Sequence, residues 1–267
     1  MALSAGGAPS GDEEVRGVKS ADRTVDLLEE LAEASAPRSL GELTRALSIP
    51  KSSLHGLLRT LEHRQWVETD DTGLRFRLGV RALRLASSHL AQDRDMQILH
   101  EAMRELCDST GETVQLARLA GDEIVYLAQF PGRHPVRLVS AVGERLPAHA
   151  TALGKALLAA RTDEELQLML ESPLAALTVN TITDWPRLQA ALAATRERGV
   201  AWDDEEASVG LTCAATVVPS AVLPTHAISV SMPTFRVSEE VRQELIKMLT
   251  AAADSLRGRL GATSAGP

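Results

Sequence analysis

The side chains best suited to binding chemistry in this sequence are basic and hydroxyl groups in one short stretch: Lys51, Ser52, Ser53, His55 and Arg59. They accompany four leucines spaced as on one face of a helix. Cationic and hydroxyl groups near a helix start, together with the backbone amides there, suit contacts with phosphates and base edges. We therefore predict a DNA-contact surface. The alternative is an ordinary solvated helix face in which the two serines only begin the helix.

Two short helices meeting at a tight corner must position this surface. Ser39 with Glu42 three residues later predicts a capping box for the first helix. Residues 48–50 break the pattern, and the second helix is predicted to begin at Pro50 or Lys51. A corner followed by an amphipathic helix with a basic outer face is typical of a helix-turn-helix. A helix over about residues 20–34 is predicted to support it.

A β-hairpin is predicted directly after the second helix. Residues 70–73 favour a turn, and the following residues alternate between apolar side chains and arginines. The alternation places Phe76 toward the core and Arg75 and Arg77 on the other side, where a wing would contact phosphate or the minor groove. Arg38 is a further candidate for DNA contact. Exposed strand arginines without a binding role are the alternative.

The charge distribution separates this region from the rest of the chain. The net charge is −8, yet residues 37–84 hold nine Lys and Arg against five Asp and Glu. A weakly basic patch on an acidic protein predicts a specific binder that needs two copies, because phosphate contacts supply most non-specific affinity.

The composition indicates a globular protein with two domains. The chain has 267 residues, 44% of them hydrophobic, and no apolar run of the length that crosses a bilayer. We expect no membrane association and a cytoplasmic location. Cys107 and Cys213 have no Cys or His nearby at ligand spacing, so neither a disulfide framework nor a metal site is expected. No cofactor is expected.

From about Met96 the pattern changes to alternating strands and helices. After a first helix, strands are predicted at 113–119, 123–129, 136–139, 211–218 and 226–232, with helices near 163–171, 184–198 and 238–260. Such an order predicts a mostly antiparallel sheet with helices packed on it. Residues 80–95 are predicted to form a linker helix. It is apolar enough to pack against a second copy of itself.

Polar groups in the second half could assemble a pocket. Ser229 and Ser231 are two apart on an apolar strand and share one face; an exposed sheet face is the alternative. The run Asp203 to Glu206 could supply paired carboxylates, but a solvated charge run is the preferred interpretation. Cys213 is interpreted as a packed small residue rather than a redox switch.

Two further features carry no catalytic prediction. The run ALGKA lacks the spacing of a phosphate-binding loop. His149 could cap or pack as easily as contact a ligand. No nucleophile and base pair is visible, so an enzyme acting in the second half is a rival hypothesis rather than the main prediction. A second rival is a sensor protein that has lost DNA binding.

The sequence resembles the isocitrate lyase regulator (IclR) family of bacterial transcription factors from about Val18 to Leu260. The matching segments follow the family's order and spacing: LTRALSIPKSSLHGLLRTLEH, WVETDDTGLRFRLG, TGETVQLARLAGDEIVYL, RLPAHATALGKALL, ITD, RERGVAWDDEE, GLTCAA and AISVS. The resemblance implies a winged helix-turn-helix, a linker helix and a GAF-like domain that binds a small metabolite. It also implies assembly as homodimers or dimers of dimers on double-stranded operator DNA.

The resemblance also implies where the metabolite binds. The matching positions are Ala152, Leu153, Gly154, Asp203, Cys213, Ser229 and Ser231. The loop at 152–154 would hold a carboxylate with its backbone amides, as helix starts favour anions. Asp203 would accept a hydrogen bond from a hydroxyl or amide of the ligand.

Two positions depart from the family pattern. Ser48 stands in the corner where many members have glycine, and Gly56 stands on the recognition helix where many have arginine. A glycine there weakens the helix by up to about 1 kcal/mol. We expect an operator that differs from the family's usual one.

The predicted fold is thus a two-domain α+β chain. The boundaries are a disordered tail at 1–17, a winged helix-turn-helix at 18–79, the linker helix at 80–95, a GAF-like α/β effector domain at 96–260 and a second disordered tail at 261–267. The predicted function is a ligand-controlled repressor or activator that binds a palindromic operator and senses a carboxylate or aromatic metabolite.

Overall fold

The computed structural model describes residues 18–85, 94–133, 142–170 and 172–261. The chain forms two compact units that divide between residues 92 and 93. Each unit has a hydrophobic cluster of its own. Within the described residues, no helix is long and apolar enough to cross a membrane.

Between residues 18 and 79, the first unit contains three helices and a small sheet. The helices are α1 (Lys19–Glu33), α2 (Leu40–Leu47) and α3 (Lys51–His63), and the strands are β1 (Arg38–Ser39), β2 (Val67–Thr69) and β3 (Arg75–Leu78). The strands are antiparallel in the order β1-β3-β2. The predicted helices and hairpin are confirmed. Strand β1 was not predicted, because two residues are too short to show a period.

The predicted capping box at the start of α2 is confirmed. The Ser39 amide donates to Glu42 Oε2 at 2.6 Å, and Ser39 Oγ accepts from the Glu42 amide at 3.3 Å. The Ser39 amide lowers the pKa of the Glu42 carboxyl, as do Arg75 and Arg38. The helix ends at Ser48, whose φ of 52° lies in the left-handed region that favours glycine. The corner therefore has the glycine-type backbone although its residue is serine.

The second unit is built on a six-stranded antiparallel sheet in the order β6-β5-β4-β9-β8-β7. Its elements are α4 (Arg94–Thr110), β4 (Thr113–Ala120), β5 (Glu123–Phe130), β6 (Arg145–Pro147), α5 (Ala152–Ala159), α6 (Asp163–Met169), α7 (Trp185–Arg198), β7 (Ala201–Asp204), β8 (Leu211–Val217), β9 (His226–Pro233) and α8 (Glu239–Arg259). The prediction of a mostly antiparallel sheet with helices is confirmed.

Helices cover both faces of this sheet. Ala215 and Ala227 lie in one core cluster with Leu157 of α5. On the other side of β9, Met232 lines a pocket together with Leu245 of α8, and α4 packs against α8 and β4. The first face therefore carries α5, whose start defines one wall of a cavity.

Some predictions extend beyond the described residues. Residues 80–85 are helical, but the remainder of the predicted linker helix up to residue 93 lies outside the described part. So do the predicted strand at 136–139 and both predicted tails, apart from residue 261. Strands β6 and β7 were missed, because a proline-bearing loop and a charge run were expected there.

Candidate DNA interface and ligand cavity

Helix α3 presents the predicted DNA-contact residues to solvent. Its core side is formed by Leu54, Leu58 and Leu61, which are buried. The exposed positions include Lys51, Ser52, Ser53, His55 and Arg59. The structure thus brings all five onto the surface of one helix.

The start of α3 is suited to an anion. Pro50 is the N-cap residue and makes no side-chain cap hydrogen bond. The first amides of any helix lack intrahelical acceptors and lie at the positive end of the helix dipole. With the Lys51 ammonium beside them, these amides can receive a phosphate group.

The wing carries its two arginines on the exposed side of β3. Phe76 between them is 9% exposed and belongs to the core. Arg75 donates to the Pro37 carbonyl at 2.9 Å and to Glu42 at 3.4 Å, and Arg77 pairs with Glu68 at 3.4 Å. Exposed pairs of this kind contribute about 0 to 1 kcal/mol. Both guanidinium groups can therefore exchange a carboxylate for a phosphate at little cost.

Arg38 is more deeply engaged with its own unit. Its guanidinium lies 3.6 Å from Glu30, and its Nε is buried without a hydrogen-bond partner. The structure places it on β1, the edge strand next to β3. Any DNA contact would have to use the exposed end of this side chain.

A cavity of about 260 Å³ lies between the sheet and the start of α5. Five of the seven residues predicted for the ligand site line it: Ala152, Leu153, Asp203, Cys213 and Ser229. Strand pairing explains the assembly. Asp203 lies opposite Cys213, and Ser229 lies opposite both Ala215 and Gln115, so these positions share the face that meets α5.

Ser231 and Gly154 do not line the cavity. Ser231 Oγ donates to Gln115 Oε1 at 3.0 Å, one register step beyond Ser229. The Gly154 amide donates to Thr151 Oγ1 at 2.9 Å. Because that amide is used within the helix cap, the amides of Ala152 and Leu153 are left as the anion donors of this helix start.

Gly154 instead allows a close approach of two backbone segments. A Cβ atom at this position would lie 2.0 Å from the Ala148 carbonyl oxygen. Thus α5 is pressed against the 3₁₀ turn Ala148–Ala150, and this contact fixes the helix start at the cavity wall.

One hydroxyl group on the cavity wall lacks a hydrogen-bond partner. Ser229 is 1% exposed, and its Oγ has no hydrogen-bond partner. Buried hydroxyls in folded proteins nearly always have a partner. An orphaned hydroxyl on a cavity wall is the arrangement expected of a group that bonds a ligand.

The interpretation of residues 203–206 as a solvated charge run was wrong at both ends. Asp203 is 1% and Glu206 7% exposed. Strand β7 points Asp203 toward the cavity, and a turn with a positive φ at Glu205 brings Glu206 back inside. Asp203 Oδ1 accepts from the amides of Glu206 at 2.7 Å and Ala207 at 3.3 Å. Burial raises the pKa of Asp203 to about 7, although Lys155 and the Glu206 amide lower it.

Sequence reasoning missed one of the deeply buried charged residues in this region. Lys155 in α5 is 2% exposed and forms an ion pair with Glu206. The available signal was its place in an otherwise apolar helix, since a buried ammonium requires a buried counter-charge. Further cavity residues that were not predicted are Gln115, Tyr126, Glu144, Thr151 and Ser208.

The other candidate groups have structural surroundings. Burial raises the pKa of the Cys213 thiol, with Asp203 adding to the effect, which favours a packed residue over a redox switch. The His149 ring nitrogen Nε2 lies 2.9 Å from the Ala175 carbonyl oxygen in a buried position. Among the described residues, no group of three His, Cys, Asp or Glu side chains could hold a metal.

A winged helix-turn-helix unit in the same chain as a cavity-bearing sheet unit defines a transcription regulator with separate DNA-binding and effector modules. Comparison with known proteins agrees. Residues 20–71 match the IclR helix-turn-helix domain, and residues 90–257 match the bacterial transcriptional regulator IclR C-terminal domain.

Individual relatives cover nearly the whole chain. The transcriptional repressor IclR of Escherichia coli is 33% identical over 240 residues, which is 88% of each protein. The Thermotoga maritima IclR structure has a TM-score of 0.75 at 26% identity and covers 91% of this chain and 99% of that one. An IclR homologue from Microbacterium hydrocarbonoxydans complexed with 4-hydroxybenzoate shares the fold, with a TM-score of 0.80 at 24% identity over 91% of this chain and 100% of that one. The chain belongs to the IclR family of bacterial transcriptional regulators.

Proposed function

We propose that this regulator binds a palindromic operator as a homodimer or a dimer of dimers and is controlled by a small hydroxylated or aromatic carboxylate. It would act in the cytoplasm, where the operator is. The observation that carries the proposal is that one chain combines an exposed basic recognition helix with a polar cavity containing an unsatisfied hydroxyl.

Two copies are proposed because a single DNA-binding unit would bind DNA only weakly. A single helix-turn-helix with a modest positive balance makes few phosphate contacts, whereas two linked copies gain affinity through effective concentration. Residues 80–85 are helical, and among them Val80 is 58% and Leu83 67% exposed. Apolar side chains so exposed on a helix are suited to pairing with a second copy.

The cavity supports the proposed effector class. The amides of Ala152 and Leu153 at the start of α5 suit a carboxylate. In the same cavity, Asp203 as a carboxylate can accept from a ligand hydroxyl, and Ser229 can form a further hydrogen bond with the ligand. The 4-hydroxybenzoate bound by the Microbacterium homologue carries these two groups at opposite ends. We propose that it or a similar hydroxy acid binds here.

The effector can act only through its preference for one dimer geometry over another. A ligand that favours a spacing of recognition helices matching the operator would recruit the protein, and one that favours another spacing would release it. Coupling of this kind is typically worth about 1 to 3 kcal/mol.

The DNA half is tested by fluorescence anisotropy with fragments of the gene's own upstream region at several salt concentrations. We expect sequence-preferring binding whose affinity falls with salt. Lys51→Ala should weaken it and reduce the salt slope by about one. Lys247→Ala, an exposed lysine of α8, is the matched control and should change neither. Binding without sequence preference would reject this half.

The effector half is tested by thermal shift with a panel of hydroxylated and aromatic acids, beginning with 4-hydroxybenzoate. A stabilising acid should lose its effect in Ser229→Val, which removes the orphaned hydroxyl, and keep it in Lys51→Ala. Loss of both DNA binding and ligand stabilisation in Lys51→Ala would contradict separate modules. A panel without any stabilising acid would reject the proposed ligand class.

A further inference from the structure

Behind the cavity wall lies a cluster of three buried charged residues. Asp203 lines the cavity, whereas Lys155 and Glu206 are not among its lining residues. Lys155 comes from α5 and Glu206 from the turn after β7, so the ion pair joins two elements that both contribute residues to the cavity lining. Two carboxyl groups and one ammonium thus lie together in a buried region, where Lys155 pairs with Glu206 and its charge also acts on Asp203.

The hydrogen bonds around the cluster leave one carboxylate oxygen unsatisfied. Lys155 Nζ bonds Glu206 Oε1, while Glu206 Oε2 is buried and has no hydrogen-bond partner. The turn that holds Glu206 is itself fixed, since Thr181 Oγ1 donates to the Glu206 carbonyl at 2.7 Å. The carboxylate therefore cannot move into solvent easily. Burial and the excess negative charge of the cluster both favour the protonated form of Asp203.

We propose that the buried pair Lys155 and Glu206 determines whether Asp203 meets the effector as a carboxylate or as a carboxyl group. The two are specificity-determining residues that never touch the ligand. A ligand hydroxyl requires the carboxylate as its acceptor, whereas a ligand anion at the same place requires the carboxyl group as its donor. This inference rests on the proposal that the cavity is the effector site.

Other titratable groups near Asp203 could also affect its protonation. Cys213 lies opposite it on β8, and Tyr126 and Glu144 line the same cavity. Asp204 points to the exposed side and bonds Arg242 at 2.5 Å. Burial raises the pKa of Asp203 the most; among the charged groups, Lys155 lowers it and Glu206 raises it. The pair therefore supplies two opposing charge effects on a group that burial has already brought near neutrality.

The direct test follows the Asp203 side-chain carbon by NMR during a pH titration of the full chain labelled at aspartate. The signal is assigned by its loss in Asp203→Asn. We expect a midpoint near pH 7. Glu206→Gln, which keeps the size and a Lys155 acceptor, should lower the midpoint by at least about half a pH unit because a like charge is removed.

A second variant guards against misfolding, and a third serves as control. Lys155→Met with Glu206→Gln removes both members of the ion pair together, so neither is left buried without the other. Because Asp203 also loses the ammonium that stabilises its carboxylate, the midpoint should exceed that of Glu206→Gln alone. Asp254→Asn removes an exposed carboxylate paired with Arg257 at 2.8 Å and should leave the midpoint unchanged. The inference is overturned if Asp203 is already ionised at pH 5, or if the midpoint is the same in wild type, Glu206→Gln and the double variant.

The consequence for binding is measured with 4-hydroxybenzoate by calorimetry. Its carboxylate is charged and its phenol is protonated at both pH 6 and pH 8. If the phenol donates to Asp203, affinity should be about tenfold lower at pH 6, because one pH unit below a pKa leaves about a tenth of the group ionised. Asp203→Asn should abolish this difference. Failure of 4-hydroxybenzoate to bind would count against the proposed ligand class. The NMR titration tests independently whether Lys155 and Glu206 control the protonation of Asp203.

Discussion

Replacing Gly154 by alanine tests the claim that this residue serves close packing rather than ligand contact. The new Cβ would lie 2.0 Å from the Ala148 oxygen, 2.4 Å from its Cα and 2.5 Å from its carbonyl carbon. Contacts below 3.0 Å require something to shift, so the helix start and the 3₁₀ turn must separate by at least about 1 Å. Both obstacles are backbone, which cannot rotate away as a side chain would.

The expected cost follows from two opposing effects. Alanine in a helix gains about 1 kcal/mol over glycine, while overpacking typically costs about 1 to 3 kcal/mol and more where nothing can yield. Because both obstacles are backbone, we expect an overpacking cost above the usual range, about 3 to 4 kcal/mol. The net loss is then about 2 to 3 kcal/mol, which lowers the melting temperature by about 4 to 12 °C for a domain of this size.

Urea unfolding of the second unit, followed by the fluorescence of Trp185 and Trp202, measures this loss. Gly258→Ala is the matched control, because it lies in α8 with nothing within 4 Å of the added atom. It should leave the unfolding midpoint unchanged or raise it. If Gly154→Ala were as stable as the wild-type chain, the close-packing argument would be refuted.

Three further predictions concern stability. Gly56→Ala adds an atom with nothing within 4 Å and should stabilise the first unit by about 1 kcal/mol in urea unfolding; a loss would show that the glycine is needed for packing. Ser39→Ala removes the Oγ that accepts from the Glu42 amide and should cost the first unit about 1 kcal/mol by the same measurement. Asp203 has a pKa raised from 3.8 to about 7, so the folded state binds its proton more tightly. Its contribution to stability should therefore fall as pH rises from about 4 to 7 and stay level above that. Thermal melts across this range should show that decline in the wild-type chain and a weaker one in Asp203→Asn; parallel curves would contradict the raised pKa.

The first unit was predictable in detail because its signals are local. The leucine spacing of α3 and the capping box at Ser39 each involve a few neighbouring residues, so both can be recognised from residue spacing alone. The alternation around Phe76 likewise fixed which side of β3 faces the core. What could not be predicted was β1, whose pairing with β3 depends on tertiary contact.

The second unit was predictable in class but not at its site. Strands β6 and β7 are three and four residues long, too short for a period to show. Asp203 and Glu206 look solvated in a local charge run, whereas their partner Lys155 is 51 residues away from Glu206 in sequence. The seven positions predicted for the ligand site came from family resemblance. The structure places two of them, Gly154 and Ser231, outside the lining.

The missing arginine at position 56 and the buried charge pair behind the cavity both bear on how strongly an effector can control operator binding. Gly56 leaves the middle of α3 without the arginine that many family members have there, so each half of the proposed dimer has a reduced hold on phosphate. Binding then depends more strongly on both halves engaging at the correct spacing, since the second contact is made at an effective concentration set by geometry. Under those conditions an effector worth about 1 to 3 kcal/mol is sufficient to change operator affinity about 5- to 150-fold. A small polar cavity whose wall charge is governed by Lys155 and Glu206 can supply a preference of that size, because ligand hydrogen bonds to a charged group are worth about 1.5 to 3 kcal/mol each.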